Sequence, residues 1–470
     1  TQFKGSFGIK GLPVKENIFI SMTNAGVQTD AYDLEQLLPG KGLQKKLEPA
    51  GLIVFNGNFF GALKDFNATG NLVCKLGLIK SDLFMNLNFD DLNQSTYHGN
   101  LAVENFDLGK LTGKDSLFGK LTLHSYLNSA TGFSFDSFIG NANATVNSFE
   151  FRNYNYQDIG VSGDLNKKIF NGHIEVDNTA LAFDFIGRID LTKEIPSYNF
   201  NANLQRANLN AMNLTEDTII VKAKMDVNAT GKNIDDITGT ATVHPVILRK
   251  PGHFVRLDSI TFASEKSAAE RNIQIRTSEF AIGMNGNFIP SQITSTIITI
   301  ARKYFPGIPL TPDSVSSNQN IHLSLTTEKV DSLVNFFIPK ATGFDSSTFE
   351  LTFNNNNNSL SALGYFPLCS YANFDLKKTT LSLSNPADSL QLKLSADELV
   401  LNDSIHFPKP NVTAKIANDA VYLNTLLSSA DKQDQLNMNL VVNGKNKRLI
   451  VHILPTTKLL LQNENWNVSD

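Results

Sequence analysis

The stretch Asn199-Phe200-Asn201-Ala202-Asn203-Leu204-Gln205 puts an apolar residue at every second position and a polar one between. Successive side chains of a β-strand point to opposite faces, so this segment has one apolar face and one wet face. The same alternation recurs along the chain. Phe349, Leu351 and Phe353 are interleaved with Glu350, Thr352 and Asn354; Leu390, Leu392 and Leu394 with Gln391, Lys393 and Ser395. Leu436, Met438, Leu440 and Val442 repeat it near the end, as do Phe183 with Phe185, Ile273 with Ile275, and Leu323 with Leu325. Period two, sustained this widely, reads as an all-β chain of amphipathic strands. Asn-Gly pairs at 56–57, 171–172, 285–286 and 443–444 have the chemistry of hairpin turns, because both residues tolerate positive φ.

Helical signals are few. Asp33 to Leu38 has room for one or two turns. Ser291 to Tyr304 places Ile293, Ile297, Ile300 and Ala301 near helical spacing between Pro290 and Pro306, and Glu328 to Phe337 forms a further short helix ahead of Pro339.

Internal repeats organise the rest. Asn105–Leu111 resembles Arg206–Met212, 101 residues on. The pattern Gly132-x-x-Phe135-Asp136-x-Phe138-x-Gly140 recurs 99 residues later as Gly231-x-x-Ile234-Asp235-x-Ile237-x-Gly239. Phe183-x-x-x-Gly187-x-Ile189 returns at the same offset as Ile282-x-x-x-Gly286-x-Phe288. A unit of about 100 residues is therefore traced from Val103 to Leu191 and again from Leu204 to Phe288. The expected divisions are a leading partial repeat over 1–50, a partial repeat over 51–102, units over 103–202 and 203–304, and divergent repeats over 305–470. Such units bury apolar surface by stacking on one another, which predicts an elongated molecule. About 30 strands at about 4.8 Å each would extend about 140 Å.

Composition removes several function classes. Charged residues make up 18% of 470, below the roughly 25% usual for soluble proteins, and the formal net charge is −4. A nearly neutral chain without a basic cluster is a poor partner for nucleic acid. The eight histidines lack metal-ligand spacing, and there is no GxSxG, Walker loop or GxGxxG after a strand. Asp136 and Asp235 recur without a partner base, which favours a turn role over catalysis. The expectation is a protein that is not an enzyme and carries no cofactor or metal. Cys74 and Cys369 lie far apart and read as reduced thiols on strands. No apolar run reaches the length of a membrane-spanning helix. The first residues lack a signal-peptide pattern and the last ones are still strand-like, so the chain reads as an internal segment with anchors and targeting signals outside it.

The apolar face allows two readings. Two sheets can close against each other around a dry core, or one sheet can curl into an open trough that holds acyl chains.

The run GLIVFNGNFFGALKDF (residues 51–66), followed by Gly70-Asn71-Leu72 and Leu76-Gly77-Leu78, resembles the translocation and assembly module (TamB) family, in the AsmA-like group of bridge-type lipid transfer proteins. Asn105–Leu111, Phe149–Tyr156 and Asn465-Trp466-Asn467 are similar in style to that family's repeats. The resemblance implies an elongated curled sheet forming a β-groove, in the periplasm of a Gram-negative bacterium. It further implies phospholipid transport between inner and outer membranes, support of outer-membrane protein assembly beside a barrel partner, and inner-membrane anchoring outside this segment. The groove lining would then include Phe183, Phe185, Phe200, Leu204, Ile273, Ile275, Ile282, Leu323, Leu325, Phe349, Leu351, Phe353, Leu392, Leu394, Met438 and Leu440. The alternative is a structural or adhesive β-repeat scaffold with a filled interior.

Overall fold

The computed structural model describes residues 1–14, 18–37, 47–62, 64–141, 143–386, 388–402, 404–430, 432–445, 448–461 and 464–467. These residues form 34 β-strands and a few short helices, and the strands pair antiparallel. The all-β class and the amphipathic strands follow directly from the alternation. Strand Ser197–Asn208 exposes Asn199, Asn201 and Gln205 and keeps Phe200, Ala202 and Leu204 half-buried or buried.

The chain divides into two compact units, residues 1–228 with 248–251, and residues 229–247 with 252–470. In the first, strands pair in chain order from Gln2–Lys10 through Phe19–Thr29, Ile53–Ala62, Asp65–Cys74, Gly77–Asn86, Thr96–Asp107 and Phe118–Thr131. The ladder continues through Ala144–Phe151, Tyr154–Asn166, Ile169–Asp177, Leu181–Asp190 and Ser197–Asn208. In the second, Ile260–Lys266, Arg271–Arg276, Phe280–Gly286, Asn320–Thr327, Thr348–Asn354 and Ser359–Tyr371 follow one another. Phe374–Ser384, Leu390–Ser395, Asn411–Ala417, Ala420–Ser428 and Gln435–Lys445 extend that ladder.

The repeat is visible in local structure. Strand Thr96–Asp107 runs into helix Leu108–Thr112, whose start is capped by Asp107 accepting from the Lys110 N–H at 2.9 Å. At the equivalent place Asn208 accepts from the Ala211 N–H at 3.2 Å. The turns at Ser134–Phe138 and Asn233–Ile237 close with the same backbone bond, 2.8 Å and 3.1 Å. The two repeated aspartates act outside their own turns. Asp136 pairs with Lys168, and Asp235 accepts from the backbone N–H and hydroxyl of Ser291 at 2.9 and 2.8 Å. In the second copy the turn itself is held by Asp236, whose carboxylate lies below its usual range because the Asn233 N–H donates to it.

The hairpin expectation at the Asn-Gly pairs is corrected. All four lie inside strands, Asn56-Gly57 facing Asn71-Gly70 and Asn443-Gly444 facing Ile450-Leu449. Gly57 faces Gly70 because a Cβ there would stand 2.2 Å from the Thr69 carbonyl oxygen and 3.0 Å from the Phe55 ring. The glycine pair makes room for that ring rather than for a turn. Tight two-residue turns with positive φ at both residues occur instead at Arg152-Asn153, Lys167-Lys168 and Asn418-Asp419.

Helix α1 covers Ala31–Leu37, so the expected Asp33–Leu38 helix is present up to 37, and Leu38 lies outside the described residues. Helix α2 is Leu108–Thr112. Helix α3 is Ile293–Arg302, preceded by a 3-10 turn at Pro290–Gln292 rather than starting at Ser291. Helix α4 is Asp331–Phe337, three residues later than Glu328, because the Asp345 carboxylate takes the Val330 and Asp331 N–H groups at 2.6 and 3.0 Å. Cys74 and Cys369 are unpaired and half-buried, and burial raises the Cys369 pKa.

Candidate functional site: the apolar face

Residues directly opposite in an antiparallel pair share a face, so the register decides which side chains meet. In the first unit Phe183 faces Leu204, Phe185 faces Ala202 and Gly187 faces Phe200. The Phe185 and Phe200 ring centroids are 5.0 Å apart, and Phe170 joins them at 6.3 Å from Phe185. Short segments cover this face at strand ends. Leu34 of α1 and Leu72 pack against the cluster of Ala50, Ile53 and Leu76, and Leu209, Leu204 and Tyr156 against that of Ala180, Ala207 and Met212.

In the second unit the rows run across many strands. Ile273, Met284, Leu323 and Leu351 form one row, which continues through Ala362, Leu383, Leu392, Ala414, Leu423 and Leu440. Ile275, Ile282, Leu325 and Phe349 form a second, which continues through Gly364, Leu381, Leu394, Val412, Thr425 and Met438. Each unit therefore gathers its own share of the sixteen expected lining residues on one face.

Their burial differs. Phe185, Ile273 and Phe353 are buried, at 5%, 4% and 0% exposure. The others are half-buried. Ile273 and Phe353 lie in a filled cluster with Phe288, Ile321, Leu360 and Leu390, covered by Ile293, Ile297, Ile300 and Ala301 of α3. These two are structural core. Near this end Arg271 is 2% exposed and donates to the Asp235 carbonyl at 2.5 Å; burial lowers its pKa from the usual guanidinium value.

At the other end of the same strands lies a cavity of about 260 Å³ under α4. Its walls are Phe280, Leu325, Phe349 and Phe366 from the sheet, Val330 and Val334 from the helix region, and Phe344 from the loop that follows. Two of these, Leu325 and Phe349, were expected as lining. The helix and loop residues were not, although Val330, Val334 and Phe337 stand at i, i+4 and i+7. Reciprocal caps join α4 to the loop that walls the cavity. Asp331 accepts from the Gly343 and Phe344 N–H groups at 2.6 and 2.7 Å, while Asp345 holds the helix start. The Ser347 hydroxyl in the cavity wall is buried and has no hydrogen-bond partner. Phe337 and Ile338, next along α4, are 62% and 54% exposed.

Among the described residues there is no cluster of three or more His, Cys, Asp or Glu fit to hold a metal ion, and no helix long and apolar enough to cross a membrane. In comparisons with known proteins, the chain matches no family model, no curated protein and no solved structure.

Proposed function

We propose that this chain is a lipid-carrying segment whose apolar sheet faces hold phospholipid acyl chains. The observation that carries the reading is the half-buried state of the aligned Leu, Ile and Phe rows. Sheet residues covered by a second layer of protein are ordinarily fully buried, whereas these keep solvent access. Each methylene buried against such a face contributes about 0.8 kcal/mol, so an acyl chain is retained without specific polar contacts. The resemblance to the TamB family supplies the setting. The segment acts in the periplasm of a Gram-negative envelope, carries phospholipid between inner and outer membranes or supports outer-membrane protein assembly, and is anchored through regions outside it. The filled cluster under α3 favours a second reading, a structural scaffold whose interior is dry.

Photoreactive residues at Phe200 and Ile275 separate the two. The lipid reading expects crosslinked phospholipid at both positions in folded protein, and a blank at both sinks it. Ile275→Asp should impair lipid loading more than Gln274→Asp, because Gln274 points to the opposite face.

A further inference from the structure

The polar face of the first unit is not featureless. It holds a concavity of about 810 Å³ reaching from strand Asp65–Cys74 to strand Ile169–Asp177. One row of paired residues crosses it: Lys80, Ala102, His124, Thr145, Gly160, Glu175. Small side chains occupy much of the middle of the row and long ones its two ends, which makes a trench. Gly160 is not required by the backbone. Its φ is not positive, and the nearest atom to an added Cβ would be the Glu175 carbonyl oxygen at 4.0 Å. A glycine inside a strand weakens the sheet, and here the space it leaves is the trench floor.

The adjacent row, Thr69, Asp82, Asn100 and Tyr126, puts a tyrosine ring 51% exposed on this concave wall. The charges nearby are already engaged and lean acidic. Lys80 pairs with Glu104 at 2.6 Å, His173 with Asp184 at 2.7 Å, and Asp82 accepts the Thr69 hydroxyl at 2.8 Å. With Glu175 also present, one lysine stands against several carboxylates, which disfavours phosphate and other anions. What remains on offer is a flat aromatic surface beside amides and hydroxyls, groups that both donate and accept.

We infer that this polar concavity of the first unit binds a neutral saccharide, with the Tyr126 ring against a sugar face and Asn71, Asn100 and Ser162 on its hydroxyls. The site lies on the sheet face opposite the apolar one, so its success or failure is independent of the lipid reading. The test is calorimetric titration of the whole chain with cellohexaose and with chitohexaose. At least one should bind, and both Gly160→Val and Tyr126→Ala should weaken it about tenfold or more. Leu204→Ala, on the apolar face, should leave binding unchanged. Valine suits a strand better than glycine, so Gly160→Val keeps the test decisive if Tyr126→Ala fails to fold. Absence of binding by the wild-type chain at millimolar sugar overturns the proposal. So does wild-type affinity in Gly160→Val, or binding of oligolysine with no binding of either sugar.

Discussion

Helices α3 and α4 lie against the same apolar face of the second unit, at opposite ends of the same strands. In strand Asn320–Thr327, Ile321 sits under α3 at 1% exposure, while Leu325, about 13 Å along, lines the cavity under α4. The ten residues of α3 offer Ile293, Ile297, Ile300 and Ala301 as one stripe, and these fill the space above the sheet. The seven residues of α4 offer Val334, with Val330 just ahead of them, both shorter, and the Asp331 and Asp345 caps tie the helix to the loop 343–347. One apolar surface thus becomes a dry core at one end and an accessible cavity at the other. The difference comes from the helix laid over it, not from the strands.

Three substitutions break or sharpen this contrast. Ile300→Ala removes the most enclosed apolar side chain of α3 and should cost about 2–5 kcal/mol, read from chemical denaturation of the second unit. A loss below about 1 kcal/mol would mean the α3 end is not the filled core described. Val334→Phe adds volume to the cavity and should act with the opposite sign, raising stability by about 0.5–2 kcal/mol. It should also reduce binding of a fluorescent fatty acid at that end while leaving capture at Phe200 intact; destabilisation with unchanged binding would show the cavity to be closed to ligand. Ser347→Ala removes a buried hydroxyl without a partner and should be neutral or stabilising by up to about 1 kcal/mol. A marked loss of stability there would reveal a bond that the hydroxyl makes and that the geometry lacks.

Much of the fold was legible because strand alternation is a local property. The face that Phe183, Leu204, Leu323 or Leu440 occupies follows from counting by two. The Asn-Gly pairs misled because their meaning is not local. Gly57 is required by Gly70 and the Phe55 ring, partners set by strand register, whereas Lys167-Lys168 makes a tight turn with no glycine at all. The expected lining was legible as a face but not as a surface with covered and open parts. Ile273 and Leu325 look alike in the sequence, and only the placement of α3 and α4 separates them. The trench at Gly160 had one faint sign, a glycine where a strand has no use for one.

The pairing pattern bears on how the chain is made. Within each unit most strands hydrogen-bond to the next or next-but-one strand in sequence, as Asp65–Cys74 does to Gly77–Asn86 and Ala420–Ser428 to Gln435–Lys445; Leu390–Ser395, which pairs with Asn411–Ala417, reaches past two short strands. Where the loop to be closed is short, as between these strands, the entropy lost in bringing partners together is small and is recovered at once by the ladder. Each hairpin can form as it leaves the ribosome and then serve as the template for the one that follows.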